Sequence, residues 1–327
     1  MTVEILNPDP LSIKRAVELL QDHQTVVIPT ETVYGLAADG RDDQAVAQIY
    51  ALKNRPQFNP LIIHCETLEQ AECYGAFDER ALTLAKAFWP GPLTLVLPYK
   101  PSGKISELAR AGLSTIALRV PAHPVAQALL AESSMPLAAP SANPSEQVSP
   151  TSAQAVAAAF KEHTQSLTVL DGGPCPVGLE STILDLTTDQ PTILRPGCIT
   201  PDDLAKVLGQ TPALASAMES KGPKAPGMLR RHYAPLHPLR MNVLKPESHE
   251  GYLSFGPLRS EPPHTLNLSP TGDLKEAAAN LFAYLKRLDL MDIKAIAVAP
   301  IPQEGIGLAI NDRLSRACTQ ITKDARP

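Results

Sequence analysis

Four basic side chains in the N-terminal two thirds of the chain have a setting that suits the binding of an anion. Lys53 and Arg55 stand two positions apart where a helix is expected to end, so in an extended segment they point the same way. Arg119 lies at the end of an apolar run, and Arg195 precedes a Pro-Gly pair. Ammonium and guanidinium groups make charge-assisted hydrogen bonds to phosphates and carboxylates. Each of them, taken alone, also fits a solvated surface cation.

Uncharged polar side chains accompany these cations. The tripeptide Ser141-Ala142-Asn143 is bracketed by two prolines, which favours a rigid polar turn. Ser181 and Thr182 are neighbours in a predicted strand and so point to opposite faces, whereas Thr115 shares a face with Arg119. Each also fits a purely local role, as an Asx turn or a strand-edge hydroxyl. Together they are the polar ends of successive strands, where α/β sheets bind ligands.

The segment Pro29–Leu36 follows a short run, Thr25–Ile28, that predicts a buried strand. It holds more hydrogen-bonding groups than a core segment needs. The local interpretation is a strand-to-loop turn in which the hydroxyls of Thr30 and Thr32 satisfy backbone groups. The polar groups further along the chain favour a role for Pro29–Leu36 in ligand binding. His64 closes another apolar strand, where a satisfied core histidine and a ligand-binding one are nearly equally compatible with the sequence.

Several common site motifs are absent from the sequence. It contains no Gly-x-x-x-x-Gly-Lys-Ser/Thr loop, no Gly-x-Gly-x-x-Gly, no His-Glu-x-x-His and no Gly-x-Ser-x-Gly. Its five cysteines form no Cys-x-x-Cys pair and are odd in number, so neither a zinc site nor a disulfide framework is indicated. A nucleotide, if one binds, must be held by dispersed cations and hydroxyls.

Composition narrows the class of protein. A chain of 327 residues predicts two domains, and 44% hydrophobic with 19% charged residues is typical of a globular protein. A net charge of −5 argues against a broad nucleic-acid footprint, although it leaves room for a local basic patch. No apolar run approaches the length of a membrane span, and Met1–Asp9 lacks the pattern of a secretion signal. We therefore expect a cytoplasmic protein.

Helices and strands alternate along most of the chain, which predicts an α/β fold. Asp9-Pro10 and then Asp42 or Asp43 open the first two helices. The clearest strand is Ser114–Val120, with Ile116, Leu118 and Val120 toward the core and a polar opposite face. Further strands are predicted at these positions: 25–28, 61–64, 93–97, 178–186, 192–195, 240–244, 252–256, 264–268 and 294–299.

The pattern predicts three segments. Residues 1–208 form the first α/β domain, and residues 239–327 form a smaller α/β unit. Between them, residues 209–238 are rich in Pro, Gly, Ala and Ser and then turn basic and aromatic. A segment of this length without its own structure is usually a linker or a functional lid. Arg230, Arg231, His232 and Tyr233 are the residues that would close over a ligand.

An ordered series of short motifs covers nearly the whole chain. It resembles the YrdC-like threonylcarbamoyl-AMP synthases in their long two-domain form. The motifs are Pro29-Thr-Glu-Thr-Val-Tyr-Gly-Leu, Lys53-Asn-Arg-Pro, Asn59-Pro-Leu-Ile, Trp89-Pro-Gly-Pro-Leu-Thr, Arg119-Val-Pro, Ala139-Pro-Ser-Ala-Asn, Asp171-Gly-Gly, Glu180-Ser-Thr-Ile, Leu194-Arg-Pro-Gly, Ala225-Pro-Gly-Met and Arg231-His-Tyr-Ala-Pro.

This resemblance implies a fold and a reaction. The fold is an open twisted sheet in a YrdC-like N-terminal domain, followed by a smaller Rossmann-like α/β domain. The reaction is that of a nucleotidyltransferase, which makes threonylcarbamoyl-AMP and pyrophosphate from L-threonine, bicarbonate and ATP with Mg²⁺. The product would pass to the tRNA threonylcarbamoyl transferase machinery, which modifies the adenosine beside the anticodon. Direct binding of tRNA stays open, and no membrane is involved.

The resemblance also implies roles for individual residues. Lys53 and Arg55 would be catalytic, because they contact the phosphates. The ATP-binding set is Lys53, Arg55, Asn59, Thr115, Ser141, Asn143, Ser149, Arg195 and Tyr233. The L-threonine-binding set is Thr32, His64, Arg119, Ala139 and Ser181. No carboxylate cluster stands out, so we expect the phosphates and water to hold Mg²⁺.

Two other classes of function remain open at this stage. One is an RNA-binding protein that uses the same basic concavity for tRNA or ribosomal RNA, although no aromatic stacking platform accompanies the cations. The other is a different ATP-dependent ligase or acyl-adenylating enzyme. Pyrophosphate release measured with each amino acid, with and without bicarbonate, separates all three.

Overall fold

A computed structural model describes residues 3–161, 166–215, 233–258 and 262–318. Within these residues the chain forms two sheets, one of eleven strands and one of four. This architecture confirms the predicted α/β class with a large sheet followed by a smaller one. Arg230, Arg231 and His232, on which the predicted lid depends, lie outside the described residues.

The described residues of the first part of the chain contain the large sheet, seven α-helices and a short 3₁₀ helix at Pro101–Gly103. The strands are β1 (Val3–Leu6), β2 (Val26–Ile28), β3 (Gly35–Asp39), β4 (Ile62–His64), β5 (Leu93–Pro98), β6 (Thr115–Arg119), β7 (Leu137–Ala138), β8 (Leu167–Leu170), β9 (Thr182–Asp185), β10 (Thr192–Arg195) and β11 (Ala213–Leu214). The helices are α1 (Pro10–Gln21), α2 (Asp43–Lys53), α3 (Leu68–Glu72), α4 (Glu79–Phe88), α5 (Pro124–Ser133), α6 (Ala153–Ala159) and α7 (Pro201–Leu208).

Where the structure describes it, the second part is a parallel sheet with two helices, which confirms the expected Rossmann-like unit. Its strands are β12 (Leu239–Arg240), β13 (Glu250–Ser254), β14 (Thr265–Asn267) and β15 (Ala295–Val298). Its helices are α8 (Leu274–Asp289) and α9 (Gly307–Cys318). All three pairings, in the order β12-β15-β13-β14, are parallel.

Local sequence determines where the helices begin. Asp9 caps α1 by accepting a hydrogen bond from the backbone N–H of Ser12, with Pro10 as the first helical residue. Asp42, one of the two predicted candidates, caps α2 in the same way. That helix ends at Lys53 because Asn54 adopts a left-handed conformation with φ of 48°. Arg55 therefore leaves the helix in the extended segment that precedes Pro56.

The large sheet has the order β1-β8-β2-β3-β7-β4-β6-β5-β9-β10-β11 and mixes parallel with antiparallel pairs. Of the segment Pro29–Leu36, predicted as a turn, residues 29–34 form a loop and Gly35 and Leu36 begin β3, where Gly35 pairs with Ile28 of the antiparallel strand β2. The face of β6 predicted to be polar is buried, because Ala117 packs in an apolar cluster with Ile62 and Leu194. This part of β6 is thus buried on both faces.

The two parts share a hydrophobic core. Val33, Val148, Leu179 and Tyr233 pack in one cluster with the residues of α8 and α9. The predicted boundaries at 208 and 239 stay a prediction, yet the segment between them is not wholly irregular. Ala213–Leu214 pairs with β10, and Tyr233 is only 1% exposed.

Candidate active site

One cleft gathers most of the predicted site residues on a face of the large sheet. It encloses about 520 Å³ of space not occupied by atoms, including the part that opens to solvent. Nine predicted residues line it: Thr32, Arg55, His64, Arg119, Ala139, Ser141, Ser181, Arg195 and Tyr233. The other lining residues are Thr30, Val33, Gly35, Ile62, Pro140 and Glu180. Lys53, Asn59, Thr115, Asn143 and Ser149 do not line it.

The cleft lies on one face of the sheet, near the ends of several strands. Ile62 and His64 both line it and lie two residues apart on β4, so they share one face of the sheet. Ser181 directly precedes β9, whereas Arg195 ends β10. The sheet is mixed, so starts and ends of strands meet at the same place.

The turn after β2 is built by its threonines. Thr30 Oγ1 donates to the carbonyl oxygen of Val33 at 2.6 Å and accepts from the backbone N–H of the same residue at 3.2 Å. This confirms the interpretation of Thr30 as a turn-forming hydroxyl. Thr30 Oγ1 also lies 2.8 Å from Thr32 Oγ1, which places the Thr32 side chain against the cleft.

Arg119 is held by three partners although it is only 3% exposed. Its Nη2 donates to Glu31 Oε1 at 2.6 Å, its Nη1 to Thr32 Oγ1 at 3.0 Å, and its Nε to the carbonyl oxygen of Gly91 at 3.2 Å. The second oxygen of Glu31 accepts from the backbone N–H of Ala122 at 3.0 Å. Because both ions are paired and hydrogen-bonded, the guanidinium group has one fixed orientation. The sequence analysis predicted Arg119 as a site residue but did not predict its partner Glu31.

His64 is a neutral imidazole. Burial, and then the nearby charge of Arg119, lower the pKa of His64 to about 3. Within the described residues its Nδ1 has no hydrogen-bond partner. His64 lines the cleft, and a buried polar atom without a protein partner calls for an explanation, of which a bound ligand is one. This favours the ligand-binding interpretation over the satisfied core histidine.

Arg195 and Ser181 form a second fixed polar pair. Arg195 donates from Nε and Nη2 to the carbonyl oxygen of Ser181 at 3.1 and 3.0 Å, and from Nη2 to Ser181 Oγ at 3.2 Å. Ser181 Oγ also lies 2.7 Å from Thr94 Oγ1. Burial lowers the pKa of Arg195 from its usual value. An anion in the cleft would therefore meet a guanidinium group that has little water around it.

Arg55 is the third guanidinium group of the cleft. Its Nη2 donates to the carbonyl oxygen of Pro60 at 3.0 Å and its Nε to that of Asn59 at 3.3 Å. Burial, partly opposed by Tyr50 and reinforced by the nearby charge of Arg195, lowers the pKa of Arg55 to about 10. The two arginines are thus close enough to repel each other, and an anion between them would relieve that repulsion.

Lys53 lies behind the cleft and not in its lining. Its Nζ donates to the carbonyl oxygens of Ser141 and Asn143. Burial, and then the charge of Arg55, lower the pKa of Lys53 well below its usual value. The ammonium group thus anchors the Ser141–Asn143 turn, whose first residue lines the cleft. This placement differs from the expectation that Lys53 itself lines the concavity.

Four other predicted residues also lie outside the lining. Asn143 donates from Nδ2 to the carbonyl oxygens of Pro144 and Gln147, and so braces its own turn. Asn59 is buried beside Arg55. Ser149 donates to Glu180, a lining residue. Thr115 starts β6, four residues and about 13 Å along the strand from Arg119.

Glu180 and Arg313 form an ion pair that the sequence did not reveal. Arg313 Nε donates to Glu180 Oε2 at 2.9 Å, and Ser149 Oγ donates to Glu180 Oε1 at 2.5 Å. Burial alone would raise the pKa of Glu180, but Arg313 and Arg195 outweigh it and hold that pKa at about 2. Arg313 belongs to α9, so the second part of the chain reaches the back of the cleft.

The charges of the cleft suit an anionic ligand. Its lining carries three guanidinium groups and one carboxylate, and Arg313 compensates that carboxylate. The described residues contain no group of three or more His, Cys, Asp or Glu that would hold a metal ion by itself. Among them, no helix has both the length and the apolar character needed to cross a bilayer.

Two family models match the chain in succession. Residues 18–197 match the Sua5/YciO/YrdC model, described as "Telomere recombination". Residues 199–319 match the model described as "Threonylcarbamoyl-AMP synthase, C-terminal domain". Together the two models cover both parts of the fold.

Curated relatives and solved structures agree with these models. The threonylcarbamoyl-AMP synthase of Bacillus subtilis is 39% identical over 97% of this chain and 95% of its own length. That of Pyrococcus abyssi is 38% identical over 93% of each chain. The crystal structure of P. abyssi Sua5 complexed with L-threonine superposes with a TM-score of 0.88 at 35% identity, over 97% of this chain and 98% of the other.

Some relatives match about two thirds of this chain over nearly their own full length. A putative threonylcarbamoyl-AMP synthase of Mycobacterium tuberculosis is 37% identical over 64% of this chain but 95% of its own length. The structure of Escherichia coli YciO covers 60% of this chain and 95% of its own, with a TM-score of 0.52 at 25% identity. The chain described here belongs to the Sua5/YrdC family of threonylcarbamoyl-AMP synthases, in the form that carries the Sua5 C-terminal domain.

Proposed function

We propose that this chain is a nucleotidyltransferase that converts L-threonine, bicarbonate and ATP into threonylcarbamoyl-AMP and pyrophosphate. The observation that carries the proposal is the cleft itself, in which three buried guanidinium groups face one small space together with threonine and serine side chains. Such a site suits a carboxylate beside a polyphosphate. The relatives' names and the L-threonine complex of the P. abyssi protein support the same assignment.

Threonine would bind around Arg119. A guanidinium group has five N–H donors, and Gly91, Thr32 and Glu31 use three of those of Arg119. The two other Nη hydrogens suit the carboxylate of an amino acid. Further residues, Thr32, His64, Ala139 and Ser181, would complete the pocket around the amine, hydroxyl and methyl groups. Neutral His64 adds no positive charge beside the amine that must react.

ATP would bind on the side of the cleft where Arg55 and Arg195 lie, with Ser141 and Tyr233 as further contacts. Each charge-assisted hydrogen bond to a phosphate is worth about 1.5–3 kcal/mol. Lys53 and Asn143 would act through the turn that presents Ser141, and Asn59 and Ser149 would support Arg55 and Glu180. Direct contact of Thr115 with the nucleotide stays a prediction.

The chemistry needs positioning more than a protein nucleophile. The threonine amine attacks bicarbonate-derived CO₂, and a proton is lost as the carbamate forms. Because this carbamate is unstable in water, it must form in a closed site. Its oxygen then attacks the α-phosphorus, the bond to the β-phosphate breaks, and pyrophosphate leaves with the electron pair. Negative charge grows on the transferred phosphate and the leaving group, where Arg55 and Arg195 would stabilise it.

Mg²⁺ would come with the nucleotide. It prefers oxygen ligands and keeps several waters, so ATP phosphates are enough to hold it where few carboxylates are available. The product would be consumed by the separate machinery that attaches threonylcarbamoyl to tRNA, which places the enzyme in the cytoplasm with its tRNA. Direct contact with tRNA is not needed for this reaction.

A pyrophosphate-release assay tests the proposal. The purified protein is supplied with ATP and Mg²⁺, each amino acid in turn, and bicarbonate or none. We expect release that requires both L-threonine and bicarbonate. Release with another amino acid and no bicarbonate would identify an acyl-adenylating enzyme. Salt-dependent RNA binding without any release would identify an RNA-binding protein.

A further inference from the structure

The C-terminal unit supplies one side chain to the back of the cleft. Arg313 on α9 is 1% exposed and does not line the cleft, but it contacts two residues that do. Its Nε lies 2.9 Å from Glu180 Oε2, and its Cζ lies 5.2 Å from the centre of the Tyr233 ring. Any effect of Arg313 on a ligand therefore passes through Glu180 or Tyr233.

Close packing against α8 fixes both of these residues. Gly178, two positions before Glu180, has φ of +73°, and a Cβ there would lie 2.5 Å from Ala279 Cα on α8. The ring of Tyr233 stacks on that of Phe282, also on α8, with centroids 5.4 Å apart and an angle of 21°. The backbone contact at Gly178 leaves no room for the loop to shift against the helix.

The ion pair between Arg313 and Glu180 matters because Glu180 is negatively charged. Glu180 lines the same cleft as Arg55 and Arg195, where we placed the ATP phosphates. A carboxylate without a partner would repel those phosphates and would compete with them for Arg195. In the structure Arg313 binds one carboxylate oxygen and Ser149 the other.

We propose that Arg313 is a positioning residue of the nucleotide site, which neutralises and orients Glu180 from the C-terminal unit and so keeps Arg55 and Arg195 available to the ATP phosphates. This inference rests on the proposed function. It gives the C-terminal unit a part in nucleotide binding that acts through Glu180. Arg313 itself touches no substrate.

The test compares Arg313→Met with the double variant Arg313→Met/Glu180→Gln. Methionine removes the cation and keeps much of the volume, so the single variant leaves a carboxylate uncompensated. We expect the Kd for a non-hydrolysable ATP analogue and the KM for ATP to rise on the order of tenfold or more, since one charge a few ångström away has at least that effect inside a protein. The KM for threonine should change much less.

The double variant distinguishes charge compensation from a merely structural role. Glutamine has nearly the shape of glutamate and can still accept a hydrogen bond from Ser149, but it carries no charge. We therefore expect the double variant to recover most of the lost affinity for ATP. A double variant as weak as Arg313→Met, or an equal rise in the two KM values, would overturn the proposal.

Three further variants keep the test decisive. Arg240→Met is the matched control, because Arg240 pairs with Glu250 at 2.5 Å in the C-terminal unit and neither residue lines the cleft or contacts Arg313, and its loss should change ATP affinity by less than about twofold. If Arg313→Met does not fold, Arg313→Lys and Arg313→Gln replace it. Lysine keeps the charge and should bind ATP better than glutamine, and equal binding by the two would contradict the proposal.

The two proposals fail in different ways. If wild-type protein binds the ATP analogue but releases no pyrophosphate with threonine and bicarbonate, the proposed reaction is wrong, and the binding series still tests Arg313. If the wild type releases pyrophosphate but the Arg313→Met variant binds the ATP analogue as tightly as the wild type does, the proposed reaction stands and the proposed role of Arg313 is wrong.

Discussion

Arg119 Nη2 lies 2.6 Å from Glu31 Oε1, and both side chains are buried. Glu31 follows Thr30 in the turn after β2, whereas Arg119 ends β6. The ion pair thus joins the two elements that form one wall of the cleft. Because breaking a buried pair by removing one partner is costly, substitutions at Arg119 must be interpreted with stability measured alongside.

Arg119→Ala should weaken the binding of threonine far more than that of ATP. The loss of charged hydrogen bonds to the carboxylate costs about 1.5–3 kcal/mol, which corresponds to roughly 10- to 150-fold in the KM for threonine. Steady-state kinetics with each substrate varied in turn measures both constants. Arg41→Ala, which removes an exposed arginine paired with Asp39, is the control. An equal rise in both KM values would place Arg119 outside the amino-acid pocket.

His64 should make the protein less stable in mild acid. Its folded-state pKa is about 3, whereas the unfolded pKa is about 6.5, so the unfolded chain binds more protons between these values. Stability contributed by His64 is therefore present above pH 6.5 and is lost as the pH falls. Between pH 7.5 and 5.5 the free energy of unfolding should fall by about 1.4 kcal/mol from this group. Urea unfolding of the wild type and of His64→Gln at both pH values measures this decrease in the free energy of unfolding. An equal decrease in the variant would refute the assignment of the pH dependence to His64.

Serine should be a poor substrate and not an inert one. Rejecting it depends on one methyl group, which is worth about 1–3 kcal/mol in a pocket, or roughly 10- to 200-fold in kcat/KM. Competition between the two amino acids in the pyrophosphate assay gives this ratio directly. Equal use of serine and threonine would mean that the pocket around Thr32, His64 and Ala139 does not contact the methyl group.

A chain ended after Ala215 should fold but turn over poorly. It keeps β11 and the hydrophobic core under the large sheet, and the M. tuberculosis relative matches only 64% of this chain over 95% of its own length. It loses Tyr233 and Arg313, and leaves Glu180 without its cation. Circular dichroism would show whether the shortened chain folds. The rate of ATP-dependent pyrophosphate release would measure the loss of activity. Unchanged kinetics would contradict a role for the linker and the C-terminal unit in the site.

The sequence allowed much of the fold to be predicted, because local signals are strong where helices begin. Asp9-Pro10 and Asp42 act as predicted. β3 was missed because Gly35-Leu36-Ala37-Ala38 contains no β-branched residue, and pairing with β2 and β7 makes it a strand all the same. Such pairing depends on distant segments that no local pattern contains.

The site could be predicted only in part, because the local sequence shows which residues end strands but not which distant residues they meet. His64, Arg119 and Arg195 end strands, and all three line the cleft. Lys53 and Thr115 lie elsewhere, since a residue's spacing does not say whether its side chain meets a ligand or a carbonyl oxygen. The contact between Glu180 and Arg313 joins residues 133 positions apart and depends on how the two parts pack.

The most direct test of the account follows the carbon of bicarbonate. Wild-type protein is incubated with ATP, Mg²⁺, L-threonine and ¹³C-bicarbonate, and the nucleotide products are analysed by mass spectrometry. The account predicts threonylcarbamoyl-AMP that is heavier than the unlabelled product by the difference between the two carbon isotopes, formed together with pyrophosphate. Release of pyrophosphate with no label in a threonine-containing nucleotide would contradict it.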